Sequence, residues 1–273
     1  MEKTDKPLVS IIMATFNEPE TIIKQSIESI LNQDYDNIEL LIADDSTDEK
    51  TIRIIDKFSQ KDNRLRIIRK EQRMGFVPAL NNAIQAAKGE LIVRMDGDDI
   101  SLSNRISNQV SFAQAHPDID VFGGNIYIIN ENGEIISERH YPTTPLKIKL
   151  RFIFRSPFAH PTIMFRRVIV EKGFLYDPKY KRAEDIDFFM RLYKKGYKFG
   201  NMEEFLLKYR VIGDLHSKRT KDQWIYNHKA RRKFLFSKPL FSIASFFVSY
   251  AYIKIPGKIV TMYYKRENSK FKK

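Results

Sequence analysis

Along the first hundred residues the apolar positions alternate between two rhythms. Val9 to Ala14 is a short apolar run ended by the polar stretch TFNEPE, and the next segment, TIIKQSIESILNQ, places Ile22, Ile23, Ile27, Ile30 and Leu31 at helical spacing. This predicts a strand, a loop and a helix. IELLIA from Ile38 repeats the unit: it ends in DDSTDEKT, and TIRIIDKF follows as a helix with Ser46 or Thr47 as its cap. LRIIR reads as a third strand, FVPALNNAIQAAKG as a third helix closed by Gly89, and ELIVRM as a fourth strand. Short strands that are apolar on both faces and alternate with helices predict an α/β domain with a mostly parallel central sheet covered by helices on both sides.

Beyond Asp99 the pattern loosens towards α+β. LSNRISNQVSFAQAH predicts a helix, IDVFGGNIYII a strand, NENGEI a turn on Asn132-Gly133, and HPTIMFRR another strand. From Lys181, KRAEDIDFFMRLYKKG predicts a helix closed by Gly196, with Glu184, Asp185 and Asp187 in its first turn where carboxylates suit the helix dipole.

In sheets of this kind ligands gather at the carboxyl ends of the strands. TFNE, DDSTD and DGDD each follow a strand directly, so three acidic or amide-rich loops converge on one edge. Any one of them alone reads equally well as a solvated loop. The last crowds Asp96, Asp98 and Asp99 into four positions. Adjacent carboxylates repel and raise one another's pKa unless a cation compensates them. Mg²⁺ and Mn²⁺ prefer such oxygen ligands and share them with substrate phosphates. In a D-x-D turn, one aspartate can accept from a ribose while the other ligates the ion, and Gly97 between them permits close approach.

Composition narrows the setting. The chain has 273 residues, no cysteine and a formal net charge of +13. Disulfides and thiolate metal sites are therefore excluded, and a reducing, cytoplasmic setting is expected, since MEKTDKPLVS carries no signal-peptide pattern. The charge is uneven. Residues 229–273 hold twelve Lys or Arg against the single acid Glu267, a net of +11, which leaves +2 for the first 228. A nearly neutral body argues against a nucleic-acid partner and makes the charge a property of the tail.

In ordered combination, VSIIMATFNE, LLIADDSTDEKT, MGFVPALNNAIQAAKGELIVRMDGDDI, NRISNQV, HPDIDVFGG and AEDIDFFMRL make residues 8 to 215 resemble the family 2 glycosyltransferases. These are inverting enzymes with the Rossmann-like GT-A fold. The resemblance implies a nucleotide-binding half (about 1–100) and an acceptor half (about 101–228), and the composition of residues 229–273 reads as a basic, aromatic helical tail. The resemblance places Ala14, Thr15, Asn17 and Glu18 beside the nucleotide, Asp45 on the base, and Arg73 and Asn82 on base or pyrophosphate. It gives Asp96 and Gly97 to the ribose side, Asp98 to Mn²⁺ or Mg²⁺, Asp185 the role of catalytic base, and Glu184 the acceptor. It favours a UDP-sugar as donor, and a glycan or lipid-linked acceptor of bacterial surface polysaccharide synthesis. Two departures stand out. DDSTD lacks the glycine that family members usually carry after the aspartate pair, and Ile212 occupies the place of a histidine that many relatives have after a Tyr-Arg pair. His216 is the candidate replacement as a second metal or phosphate contact, against an ordinary surface histidine.

An inverting transfer needs only a carboxylate that removes the acceptor proton and a stabilised leaving diphosphate, so the missing cysteine costs it nothing. Asp187 reads as a partner of local backbone or of Arg191, Asp99 as a cap of the next segment or as support for Asp98, and His160 as facing the acceptor cleft or as a satisfied buried histidine. A nucleotidyltransferase is the alternative enzyme, disfavoured by the lack of a Gly-rich phosphate loop. A non-catalytic nucleic-acid binder acting through the tail is the alternative of another kind. In the tail the uncharged run Pro239 to Ile253 is 15 residues, short of the ~20 a spanning helix needs. Aromatic residues flanked by Lys and Arg suit a helix lying on an anionic leaflet, which places the protein on the inner face of the cell membrane. Packing on the domain, or pairing of two copies through the tail, is the competing expectation.

Overall fold

The computed structural model describes residues 6–212, 221–233 and 239–254. Its strands are β1 (Val9–Thr15), β2 (Ile38–Asp44), β3 (Leu65–Ile68), β4 (Leu91–Asp96), β5 (Ile100–Ser101), β6 (Val121–Ile129), β7 (Ile135–Arg139), β8 (Met164–Arg166) and β9 (Phe199–Arg210). The helices are α1 (Glu20–Leu31), α2 (Glu49–Lys61), α3 (Phe76–Ala86), α4 (Arg105–Ala115), α5 (Pro145–Phe154), α6 (Val168–Glu171), α7 (Glu184–Lys194), α8 (Lys221–Arg232) and α9 (Pro239–Lys254).

The strand order is β3-β2-β1-β4-β8-β6-β9-β5, with β7 added to β6. The first four strands are parallel, as the repeated strand-helix unit requires, and β8 joins β4 antiparallel. Alternate residues of β1, β2 and β4 feed the two faces. Ile11, Met13, Leu40, Ile42, Val93 and Met95 pack with Ile23, Ile27 and Ile55 on one side. Ile12, Leu41, Ala43 and Ile92 pack with Leu80, Ala83, Phe188 and Phe189 on the other. Burial on both faces is the reason these strands read as apolar runs.

Several local expectations change. Asp48, not Ser46 or Thr47, caps α2, accepting from Thr51 N at 3.3 Å and Thr51 Oγ1 at 3.1 Å. Ser46 and Thr47 are engaged instead by Asn17. Gly89 does not close α3, which ends at Ala87 in extended conformation. A Cβ on Gly89 would lie 2.6 Å from Leu8 O and Ser10 N, so the glycine is there to let β4 start against β1. His160–Thr162 is a 3-10 turn, and only Met164–Arg166 of HPTIMFRR is strand.

The tail's described parts are helical. α8 runs across residue 228, and its Ala230 packs among Tyr180, Ala183, Ile186 and Met190. Arg231 is buried and donates to Phe152 O, while Lys233 Nζ lies 3.1 Å from Asp187 Oδ1 and 3.5 Å from Asp177 Oδ2. No helix among the described residues is long and apolar enough to cross a membrane.

Candidate active site

Strand register assembles the site. Ala14 pairs with Ala43 on one side and with Asp96 on the other, and Thr15 pairs with Asp44, so the three acidic loops leave the sheet side by side. They enclose a cavity of about 360 Å³. Of the expected donor residues, Ala14, Thr15, Glu18, Asp45, Arg73, Asp96 and Gly97 line it, and so does Asp98.

Asn17 and Asn82 are not among its walls. Asn17 adopts a left-handed φ of 58°, and its Oδ1 accepts from Thr47 N and Asp48 N at 2.8 Å each. Its side chain joins the first loop to the second. Asn82 Nδ2 lies 2.9 Å from Met74 Sδ, bracing the segment that carries Arg73. His216 lies outside the described residues.

Asp45 organises that segment, accepting from Met74 N (2.6 Å), Gly75 N (2.9 Å) and Arg73 Nε (3.2 Å). Arg73 stacks 3.8 Å above the ring of Phe16. Phe16, Phe76 and Tyr209 also line the cavity. Sequence reasoning missed these aromatics, although Phe16 sits inside TFNE, where an exposed aromatic beside a nucleotide loop was a usable signal. Glu18 accepts from Thr15 Oγ1 and from Phe16 N at 2.7 Å, and burial pushes its carboxyl above the ordinary range.

In the DGDD turn a Cβ on Gly97 would meet Thr15 and Ala14 O at 3.1 and 3.2 Å. The close approach that Gly97 permits is therefore to β1. Asp96 receives both terminal nitrogens of buried Arg94, with Nη1 2.8 Å from Oδ2. Asp99 is fully buried, and its Oδ1 accepts from Arg210 N at 2.9 Å. Arg210 Nε in turn holds Asp98 O at 2.9 Å, so β9 clamps the turn. The Asp99 Oδ2 has no hydrogen-bond partner among the described residues. Burial, Asp98 and Asp96 push the Asp99 carboxyl well up.

Three aspartates whose ligand oxygens lie within 4.8 Å of one another, one of them with an orphaned buried oxygen, are a donor set that fits a hard divalent cation. Asp96 and Asp98 present it to the cavity, with Asp99 behind.

Glu184 and Asp185 open α7, directly after Ala183 at φ 60°. Burial and the neighbouring Asp185 push Glu184 up to about 8, burial raises Asp185, and the charge of Arg94 opposes both shifts. Arg94, ion-paired with Asp96, therefore also bears electrostatically on Glu184 and Asp185. Asp187 turns away from this pair to bond Arg191 Nε at 2.7 Å.

The family model described as "Glycosyl transferase family 2" matches residues 10–174. The chain belongs to glycosyl transferase family 2. This family 2 glycosyltransferase is 38% identical over 227 residues to an uncharacterized glycosyltransferase of Methanocaldococcus jannaschii, covering 82% of this chain and 78% of that one. It is 35% identical over 217 residues to the O-antigen biosynthesis glycosyltransferase WbnJ of Escherichia coli, covering 78% and 82%. Among solved structures, S. aureus TarS 1–349 in complex with UDP-GlcNAc superimposes with a TM-score of 0.66 at 21% identity over 87% of this chain and 69% of that one. The chain spans 41% of the longer TarS chain. Mannosyltransferase PcManGT from Pyrobaculum calidifontis in complex with GDP-Man and Mn²⁺ gives 0.66 at 18% identity over 93% and 72%. At these identities the structures establish the shared GT-A fold. Family membership makes the protein a transferase and sets the nucleotidyltransferase reading aside.

Proposed function

We propose that this enzyme is a metal-dependent inverting glycosyltransferase that moves a sugar from a nucleoside-diphosphate sugar, UDP favoured, to a glycan or lipid-linked acceptor in surface polysaccharide synthesis. The observation that carries the reading is the cavity of about 360 Å³ at the carboxyl ends of β1, β2 and β4, onto which Asp96 and Asp98 of the three-aspartate cluster open beside Asp45 and Arg73. The bound nucleotide sugars of the two neighbouring structures and the O-antigen role in the name of WbnJ support the substrate classes.

The residues divide the work as follows. Phe16 and Arg73 form a stacked wall for the base, with Asp45 holding the loop behind them. Asp96 accepts from the ribose. Asp98, with Asp96 and Asp99, holds Mn²⁺ or Mg²⁺, which when bound neutralises the departing diphosphate as a Lewis acid. Glu184 orients the acceptor hydroxyl and Asp185 takes its proton as the oxygen attacks C1 and the bond from C1 to the diphosphate oxygen breaks. Burial raises the Asp185 carboxyl, which makes its ionised form a stronger base towards the acceptor hydroxyl.

The test is metal-dependent nucleotide release across a panel of sugar nucleotides. Asp98→Asn should abolish the signal, and Asp185→Asn should keep donor binding and lose transfer. An Asp185→Asn enzyme that transfers normally would end the assignment.

Membrane docking is the reading of the tail that a specific observation favours. On α9, Ile243, Phe247 and Tyr250 are exposed, Phe247 by 62%, and on α5, which α9 contacts, Leu146 and Leu150 are exposed with Lys147, Lys149 and Arg151 interleaved. Neither helix carries an acid. Such a face suits an anionic leaflet on the inner side of the cell membrane. Co-sedimentation with phosphatidylglycerol vesicles should be lost on deleting residues 239–273. Unchanged binding would refute it.

A further inference from the structure

His160 stands between two groups that the reaction described above does not by itself connect. Its Nε2 lies 2.8 Å from the Tyr176 hydroxyl, and its Nδ1 lies 3.8 Å from Glu184 Oε1. We propose that His160 is a positioning residue for Glu184: Tyr176 holds the imidazole in the Nδ1–H tautomer and thereby aims an N–H at the acceptor carboxylate beside Asp185. The inference rests on the inverting-transferase reading and assigns the group that sets its acceptor side.

The tautomer follows from the partners. A neutral imidazole has one donor and one acceptor nitrogen. If Nε2 carried the proton, the buried phenol hydrogen of Tyr176 would need another acceptor, and once Glu184 ionises the Nδ1 lone pair would face its carboxylate. If Tyr176 donates to Nε2, both conflicts vanish. The Tyr176 backbone is tied to Asn81 on both sides, with Tyr176 N donating to Asn81 Oδ1 (3.0 Å) and Asn81 Nδ2 to Tyr176 O (2.8 Å), and its buried ring packs on Phe188 with centroids 4.6 Å apart. The imidazole ring is held edge-on against Tyr176 and Phe189, with centroids 5.4 and 6.1 Å away. The 3.8 Å separation is longer than a hydrogen bond, as catalytic contacts commonly are before substrate arrives.

The charged and titratable groups bearing on this point are Arg94 and Asp96 from β4, Glu184 and Asp185 from α7, and the Tyr176 phenol. Burial and Arg94 hold the imidazolium well below its usual range, so His160 acts as a neutral donor. A neutral donor directs Glu184 and favours its ionised form without adding a second positive charge to the one Arg94 supplies. The path from Asn81 through Tyr176 and His160 to Glu184 also ties α3 of the donor half to α7 of the acceptor half.

Long-range ¹⁵N–¹H NMR of the labelled full-length protein reads the tautomer directly; the chain has five histidines, and His160→Asn assigns the signal. The expected result is a protonated Nδ1 and an unprotonated Nε2 between pH 6 and 8, with Tyr176→Phe mixing the tautomers. An Nε2–H tautomer, or an imidazolium at pH 7, overturns the proposal. The second readout is the pH profile of nucleotide release, using whichever of UDP-glucose, UDP-N-acetylglucosamine and GDP-mannose the wild type turns over fastest. His160→Leu should move the acidic limb up by about half a pH unit, a roughly threefold change in ionisation, at unchanged donor KM. His160→Asn, whose amide N–H replaces Nδ1–H, should restore it. An unmoved limb in His160→Leu also overturns the proposal. A wild type inactive on every donor would defeat the transferase reading, and the NMR result would still decide the tautomer.

Discussion

Arg94 and Asp96, two residues apart on β4, form a doubly contacted ion pair in which Nη1 lies 2.8 Å from Oδ2 and Nη2 meets Oδ1. Residues i and i+2 of a strand share a face, so the pair is built into the backbone. The Arg94 side chain is 5% exposed and that of Asp96 25%, so the guanidinium bears most of the desolvation. Replacing it by methionine should cost on the order of 3 kcal/mol, the usual penalty for breaking a buried pair. Asp96→Asn should cost less, and the double variant should fall short of the sum. Urea denaturation of the four proteins measures the coupling; strictly additive losses would mean that the pair contributes nothing.

Glu184 gives a pH-dependent prediction. Its carboxyl moves from 4.5 in an unfolded chain to about 8 in the fold, so the fold prefers the protonated form. That contribution is complete below pH 4.5 and is lost as pH rises from there through 8. Glu184→Gln removes the loss. Relative to wild type, the variant should gain stability between pH 5 and pH 9, on the order of 2 kcal/mol. Denaturant midpoints across that range test it, and a gap between the two proteins that stays constant with pH would refute the buried-carboxyl assignment.

The parallel half was legible because its strands are buried on both faces and its helices carry one apolar stripe, so both periods survive in the sequence. β9 was not legible. Phe199–Arg210 mixes apolar residues with Glu203, Glu204 and Lys208, because it is exposed in its middle and its register against β6 shifts twice around Asn125. Alternation is erased where a ladder slips. Gly89 was misread because a glycine demanded by strand contact looks the same in sequence as one demanded by a helix end. The acidic loops were found because strand ends are marked by a change of polarity. The orienting groups Arg94, Arg210 and Tyr176 were not, since nothing local distinguishes a buried partner of a distant carboxylate from any other buried residue, and His160 was singled out only as facing the acceptor cleft or as a satisfied buried histidine.

Asp99 is the carboxylate for which apo stability and metal affinity should move in opposite directions. It is fully buried, burial and the two neighbouring aspartates push its pKa up, and Oδ2 lacks a partner. A carboxyl whose pKa is raised in the fold costs stability at every pH above its unfolded value, because it must either take up a proton or stay ionised in a buried site. Asp99→Asn keeps an oxygen for Arg210 N, turns an amide towards Asp98 and Asp96, and removes a negative charge. The variant should melt higher than wild type without metal and respond less to added Mn²⁺, because ligand binding stabilises only as far as the site binds. A lower apo melting temperature together with an undiminished Mn²⁺ response would contradict both halves of the argument.

Where the chain is cut in its basic tail should separate packing from docking. α8 belongs to the fold: Ala230 is buried against α7, Arg231 is 2% exposed and donates to Phe152 O, and Lys233 bridges Asp187 and Asp177. Losing residues 221–273 uncovers Tyr180 and Met190 and strands the Asp187 carboxylate with Arg191 as its remaining partner among those described here. Such a loss should cost about 3 kcal/mol and lower the melting temperature by roughly 10 °C. Losing only residues 239–273 removes the exposed aromatic helix α9 and its contact between His228 Nδ1 and Ser249 Oγ, and leaves the α8 contacts in place. The shorter deletion should therefore keep both most of the stability and the nucleotide-release activity. Calorimetry and the release assay on the two truncations decide it: equal melting temperatures would show that α8 does not support α7, and loss of activity in the shorter deletion would show that α9 serves the catalytic domain.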